Sequence, residues 1–207
     1  MAGIRIRSHF HAAGERSAAT LASVIAMLAW KLAQASLTRM RKAQFDIDLG
    51  RSYFAFVCEQ LAFIAHLADR LAYRQLDAEQ RAAFTRALAL RLAEVVEDNA
   101  GMLLVDSAAG ACRQHFIAIF NASGDDYADF SYADDGPDFG FRRCFADRIR
   151  ASVPEKDALW VCDQIMEIEV PEAVAALEKT LAGLFAPAEP GAEAPPARAR
   201  RQRLSGR

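Results

Sequence analysis

Residues 51–75, RSYFAFVCEQLAFIAHLADRLAYRQ, limit what this chain can fold into more than any other stretch. Phe54, Val57, Cys58, Leu61, Ile64, Ala65, Ala68 and Leu71 recur at helical spacing, and Phe56, Phe63 and Leu67 widen that face beyond one stripe. A helix so broadly apolar needs neighbours on two sides. The neighbours must themselves be helices, because no stretch alternates like a strand for any length; GMLLV at 101–105 is the one short run that reads as a possible strand.

Two long helices supply the flanks. Residues 17–43 place Leu21, Val24, Ile25, Leu28 and Leu32 on one face, with Ser17 as N-cap and Arg39, Arg41 and Lys42 at the negative C-terminal end. The third helix opens on the capping box Asp77/Gln80 and carries Phe84, Leu88, Leu92, Val95 and Val96 inward. A fourth helix is expected over 107–121, ending near Gly124. Three shorter ones are expected after Pro137, Pro154 and Pro171, where helix starts tolerate proline. The expected fold is therefore all-α: an antiparallel bundle of three long helices plus several shorter ones, in one domain over 8–186. Residues 187–207 hold four of the seven prolines and five arginines, and read as a disordered basic tail.

Charge narrows the function classes. The tail carries +3 and the remaining residues −5, which together give the formal −2 of the chain. A mildly acidic body lacks the basic face of a nucleic-acid-binding domain, so no specific nucleic acid is expected. The arginines of the tail are a possible contact with anionic lipid or nucleic acid, but read first as a solubilising end. Cys58, Cys112, Cys144 and Cys162 form no CxxC pair and lie in apolar helical contexts, which points to reduced core thiols in a cytoplasmic protein. Arg5, Arg7 and Arg16 before an apolar run, with AQA at 33–35, loosely resemble a signal peptide over 1–35. Lys31 interrupts that run, which looks too short for a membrane span, and the helical spacing continues past the supposed cleavage point.

No glycine-rich phosphate loop, GxSxG, HExxH or nucleotide fingerprint is present, so no motif requires a cofactor. Three features remain. Glu59, His66, Asp69 and Tyr73 share one helical face, where a carboxylate and an imidazole turned inward would suit a metal or acid–base work. Glu-x-x-His is missing from that face, and the plainer reading is an exposed or packed stripe. Glu94, Glu97 and Asp98 crowd a helix C-terminus, where negative charge opposes the macrodipole unless cations such as Arg91 offset it. If Glu59, His66 and Glu94 faced inward together, with His115 from the fourth helix, they would make a small acidic site.

The third feature is DDYADFSYADDGPDFGFRRCF, residues 125–145, with six aspartates between Asp125 and Asp138. Its register does not fit a calcium loop. Asp134, Asp135 and Asp138 instead suit the start of the following helix, while Arg142 and Arg143 can balance the aspartates. With Tyr127 and Tyr132, these residues form a candidate contact surface for a protein partner. The leading expectation is a non-catalytic, partner-binding or accessory factor. The alternatives are a helical metal- or ligand-binding enzyme using Glu59, His66, Asp69, Glu94 and His115, and a small-molecule sensor lined by Phe54, Phe56 and Phe63.

Overall fold

A computed structural model describes residues 17–47, 50–103 and 108–185. The helices are α1 (Ala18–Lys42), α2 (Arg51–Ala72), α3 (Ala78–Asp98), α4 (Ala100–Leu103), α5 (Ala111–Asp126), α6 (Phe139–Arg150), α7 (Val161–Gln164) and α8 (Val170–Phe185). A π-helical turn, Ile165–Glu169, joins α7 to α8, and a hairpin of two two-residue strands, β1 (Tyr132–Ala133) and β2 (Gly136–Pro137), precedes α6. The fold is all-α as expected. The tail assigned to 187–207 and the start of the 8–186 domain lie outside the described residues.

α2 is the central helix. Its buried residues run round nearly the whole circumference, from Phe54, Phe56 and Val57 to Phe63, Ile64 and Leu67, and it touches α1, α3, α5, α6 and α8. Phe63 shows the density of this core: its ring stacks on Phe145 at 3.8 Å between centroids and meets Phe141 edge-on at 5.5 Å. Phe54, Phe56 and Phe63 are therefore packed core side chains, 6%, 0% and 0% exposed.

α1 starts on Ser17, whose hydroxyl accepts the Thr20 N–H at 3.2 Å. Its buried stripe includes Leu21, Ala22, Ile25, Ala26, Ala29 and Ala33, while Val24, Leu28 and Leu32 are half-buried. The stripe is turned toward the alanines because small side chains let α1 lie close against α3, its most extensive partner. By length and composition α1 is apolar enough to cross a membrane, contrary to the expectation of too short a run; here its apolar side belongs to the core. The helix ends with Gln44 at φ 68°. The Phe45 N–H bonds the Met40 carbonyl and the Gln44 N–H bonds that of Arg41, a Schellman closure with glutamine in the left-handed position.

The Asp77/Gln80 capping box is formed, and Phe84, Leu88, Leu92, Val95 and Val96 are all buried. Asp69, near the end of α2, bonds Arg81 and Thr85 near the start of α3, so these helices are antiparallel. Phe54 meets His115 while His66 meets Phe120, so α2 and α5 run parallel.

The second half differs from expectation in five places. α5 begins at Ala111 and runs past Gly124 to Asp126. The GMLLV segment begins as the helical turn α4. The hairpin was not expected: Asp134 and Asp135 link its strands, and Gly136 completes the reversal at φ 104°. Pro154 does not open a helix. Residues 151–160 form turns in which Asp157 Oδ2 accepts the Asp46 N–H at 2.7 Å, fastening this segment to the α1–α2 connection. The two helices expected around Pro171 are one continuous rod, in which the Val170 N–H reaches back to the Ile165 carbonyl. The widened turn accommodates a proline that cannot donate to the carbonyl four residues earlier. Glu169, in this turn, is 3% exposed and holds Arg39 of α1 through a forked pair, with Nη2–Oε2 at 2.6 Å.

Candidate functional site

The structure separates the five residues considered as a polar or metal cluster. Glu59 takes a forked ion pair from Arg148 of α6, Nε–Oε2 2.7 Å and Nη2–Oε1 3.0 Å, and Arg148 also binds Asp126. Burial raises the Glu59 carboxyl above its ordinary range despite the opposing Arg148 charge. Glu94 lies at the other end of α3, against Arg91 at 2.9 Å and Arg113 at 3.4 Å. His115 is exposed with its ring against Phe54. Among the described residues, no three His, Cys, Asp or Glu side chains converge in a way that could hold a metal ion. The small acidic site of Glu59, His66 and Glu94 is thus not assembled, because each carboxylate is drawn to its own arginine.

Glu97 explains why acids crowd the end of α3. Its carboxylate accepts the N–H groups of Gly110 at 2.6 Å and Arg113 at 2.9 Å, at the start of α5. Gly110 has no side chain to cap that helix, so Glu97 caps it from α3. Hydrogen bonds from Gly110 and Arg113 lower its pKa.

His66 and Asp69 do share a site. One turn apart on α2, they line a cleft of about 680 Å³ against α3 and α5, with Arg70, Arg81, Thr85 and Arg86. The Asp69 carboxylate accepts Nε of Arg81 at 2.9 Å, and also Arg81 Nη2 and the Thr85 hydroxyl. Burial pushes this carboxyl up, but the Arg81 and Thr85 hydrogen bonds and the Arg81 charge outweigh it, so it titrates below the ordinary aspartate range. Tyr73, also on the stripe, is 69% exposed, with the Arg81 guanidinium 5.1 Å from its ring centroid.

The far wall belongs to α5. His66 Nε2 lies 3.0 Å from the Phe120 carbonyl and 3.1 Å from Ser123 Oγ, and its ring stacks on Phe120 at 4.4 Å. A carbonyl only accepts, so Nε2 carries the proton and Nδ1 keeps a lone pair. Burial lowers the imidazole pKa, which favours that neutral form. Gly124 makes this seating possible, since a Cβ there would lie 3.1 Å from His66 Cε1. Arg70 Nη2 donates to the Tyr127 carbonyl at 2.9 Å and ties the end of α5 to α2.

The proposed contact surface is only partly a surface. Tyr127 is 1% exposed, at the end of α5 beneath Phe141, and its hydroxyl has no hydrogen-bond partner among the described residues. Arg143 pairs with Asp147 one turn on, at 3.0 Å, rather than with the preceding aspartates. The Nε of Arg142 is buried without a partner among the described residues. Asp138 is the N-cap of α6, accepting the Phe141 N–H at 2.8 Å and the Ser131 N–H at 2.7 Å. Tyr132 donates to Glu178 of α8 at 3.0 Å and lies under Arg74. Asp134 and Asp135 are exposed at the hairpin tip, with Arg74 Nη1 3.2 Å from Asp134.

Beside the hairpin lies a second cleft of about 540 Å³, with Pro137, Val170, Pro171 and Val174 among its apolar lining and Asp135 and Glu178 among its acids. Phe139, also in its lining, is 64% exposed. Helical spacing singled out His66 and Asp69, and the crowding of acids before a helix start singled out Asp134 and Asp135. Arg70, Arg81, Thr85, Gly124 and Glu178 were missed; Arg81, next to the capping-box residue Gln80, was the one local hint, since the box fixes where the face of α3 begins. Compared with known proteins, the chain matches no family model, no curated protein and no solved structure.

Proposed function

We propose that this protein is a non-catalytic, partner-binding factor that receives an apolar segment with basic flanks from another protein in the hairpin cleft. The observation that carries this reading is Phe139, a large aromatic left 64% exposed beside that cleft. Exposed aromatics next to an apolar concavity are the usual anchors of protein interfaces. Charge sets the kind of partner. Asp135, Asp138 and Glu178 outnumber Arg142 in the lining, and Asp134 stands next to Asp135 at the hairpin tip, so lysine or arginine flanking an apolar anchor would complement it. The tie from Tyr132 to Glu178 holds the hairpin against α8, so the surface is formed before a partner arrives. A cytoplasmic setting accompanies this proposal, supported by four free cysteines.

The test uses a panel of synthetic peptides with apolar anchors and either basic or acidic flanks, together with capture from cell extract. Wild type is compared with Phe139→Asp, Asp134→Ala/Asp135→Ala and Tyr132→Ala, each checked for helicity by circular dichroism. The proposal expects the basic peptides to bind and Phe139→Asp to abolish that binding. Equal binding by all variants, or preference for acidic flanks, removes this surface from the proposal.

A further inference from the structure

We infer that the cleft between α2, α3 and α5 is a separate binding site for a small organic anion, a carboxylate or phosphate carried on an apolar body. Among the described residues, three arginines, Arg70, Arg81 and Arg86, line this cleft with a single carboxylate, Asp69. The local balance is 3 − 1 = +2, in a chain whose formal charge is −2. Such a local excess in an otherwise acidic protein focuses anions into the concavity.

The arginines are held differently, and each arrangement suits this purpose. Arg81 spends Nε and Nη2 on Asp69 and stands over Tyr73, which fixes its plane and leaves Nη1 uncommitted to that pair. Arg70 is positioned by its bond to the Tyr127 carbonyl. Arg86, exposed one residue beyond Thr85, forms no ion pair among the described residues and is free to close on a ligand. Guanidinium groups suit planar carboxylates and phosphate oxygens because their N–H donors match that geometry.

The remaining lining selects an organic anion over a bare ion. Phe120 and the small side chains of Ala78 and Ala82 give apolar area. His66 adds a neutral ring whose Nδ1 accepts from a ligand hydroxyl or amide. The volume of about 680 Å³ falls within the range of small-molecule sites. A metal cation is disfavoured by the same charge balance.

The probes are inorganic phosphate, phenyl phosphate, benzoate and, as a neutral control, benzyl alcohol, titrated into the full chain. Side-chain NMR of the four histidines reports location, and calorimetry reports affinity. Phenyl phosphate or benzoate is expected to shift the His66 resonances selectively, with benzyl alcohol silent. Which of the two binds tighter tells a phosphate site from a carboxylate site. Arg86→Glu should weaken binding about tenfold or more, the loss of one charge-assisted hydrogen bond, whereas Arg143→Glu on the distant face of α6 should not. The inference is overturned if neither organic anion moves His66, if the Arg86→Glu protein binds as wild type, or if Arg143→Glu weakens binding equally. Because the hairpin cleft contributes none of these residues, its failure as a docking surface would leave this result unchanged.

Discussion

Replacing Gly124 with alanine measures how tightly His66 is seated. Two opposing effects compete. Alanine is favoured over glycine by about 1 kcal/mol inside a helix, and Gly124 lies in the last turn of α5, so about half that gain is expected. Against it, the new Cβ would sit 3.1 Å from His66 Cε1 and 3.7 Å from Nε2. The imidazole would have to move a few tenths of an ångström. It cannot do so without stretching its bonds to Phe120 and Ser123 or sliding on the Phe120 ring. Overpacking costs about 1–3 kcal/mol, and the lower end applies because His66 borders an open cleft. Gly124→Ala is therefore expected to destabilise the native protein by about 0.5 kcal/mol and to stabilise the His66→Ala protein by about the same amount. The coupling in this double-mutant cycle is about 1 kcal/mol. Urea denaturation of the four proteins, with unchanged m-values, measures it. Equal stabilisation by Gly124→Ala in both backgrounds would refute the close packing of His66 against α5.

Three further perturbations test other parts of the fold. The folded-state pKa of Asp69 is depressed, so its contribution is fully present above the unfolded value of about 3.9 and lost as pH falls through the folded value; the stability gap between wild type and Asp69→Asn should be constant above about pH 5 and shrink below pH 4, and a gap that widens on acidification reverses the assignment. Glu169→Ala leaves Arg39 without its carboxylate, and because Arg39 is about one-third exposed the expected cost is about 2–3 kcal/mol rather than the full cost of a buried pair; denaturation showing a loss near zero would make the pair incidental. Glu97→Ala should cost about 1 kcal/mol, as for a lost N-cap, and speed amide exchange at Gly110 and Arg113; unchanged exchange at both amides argues against the cap.

Local chemistry was legible where it repeats within a helix turn or a cap. Ser17, the Asp77/Gln80 pair and the Phe84 to Val96 face each have their explanation within a few residues, and the structure places them as expected. The breadth of the apolar surface on α2 also announced a central helix. The hairpin escaped because two-residue strands are too short to alternate. Pro154 misled because a proline compatible with a helix start says nothing of whether the next residues are needed elsewhere; Asp157 is needed by Asp46. For the site, helical spacing put His66 and Asp69 on one face. It could not reveal that Glu59 meets Arg148 across 89 residues of sequence, since periodicity orients a side chain without naming what stands opposite.

The π-helical turn has a consequence for the length of the chain itself. Buried positions along the rod recur at Ile165, Glu169, Ala173, Leu177 and Leu181, four residues apart each time. In an α-helix every such step overshoots a full turn by about 40°, so four steps would swing Leu181 roughly 160° away from Ile165. The underwound turn takes back part of that rotation and works as a phase adjuster between the part of the rod facing α6 and the part facing α2. Removing one residue within 165–169 would let the turn close as regular α-helix, and the rotation of about 100° lost with that residue is roughly what the underwound turn already gives up. Residue count is therefore looser here than elsewhere in the rod: a single-residue deletion within the turn would keep Leu177 and Leu181 facing the core, whereas the same deletion within 172–176 of α8 would rotate them away by about 100°.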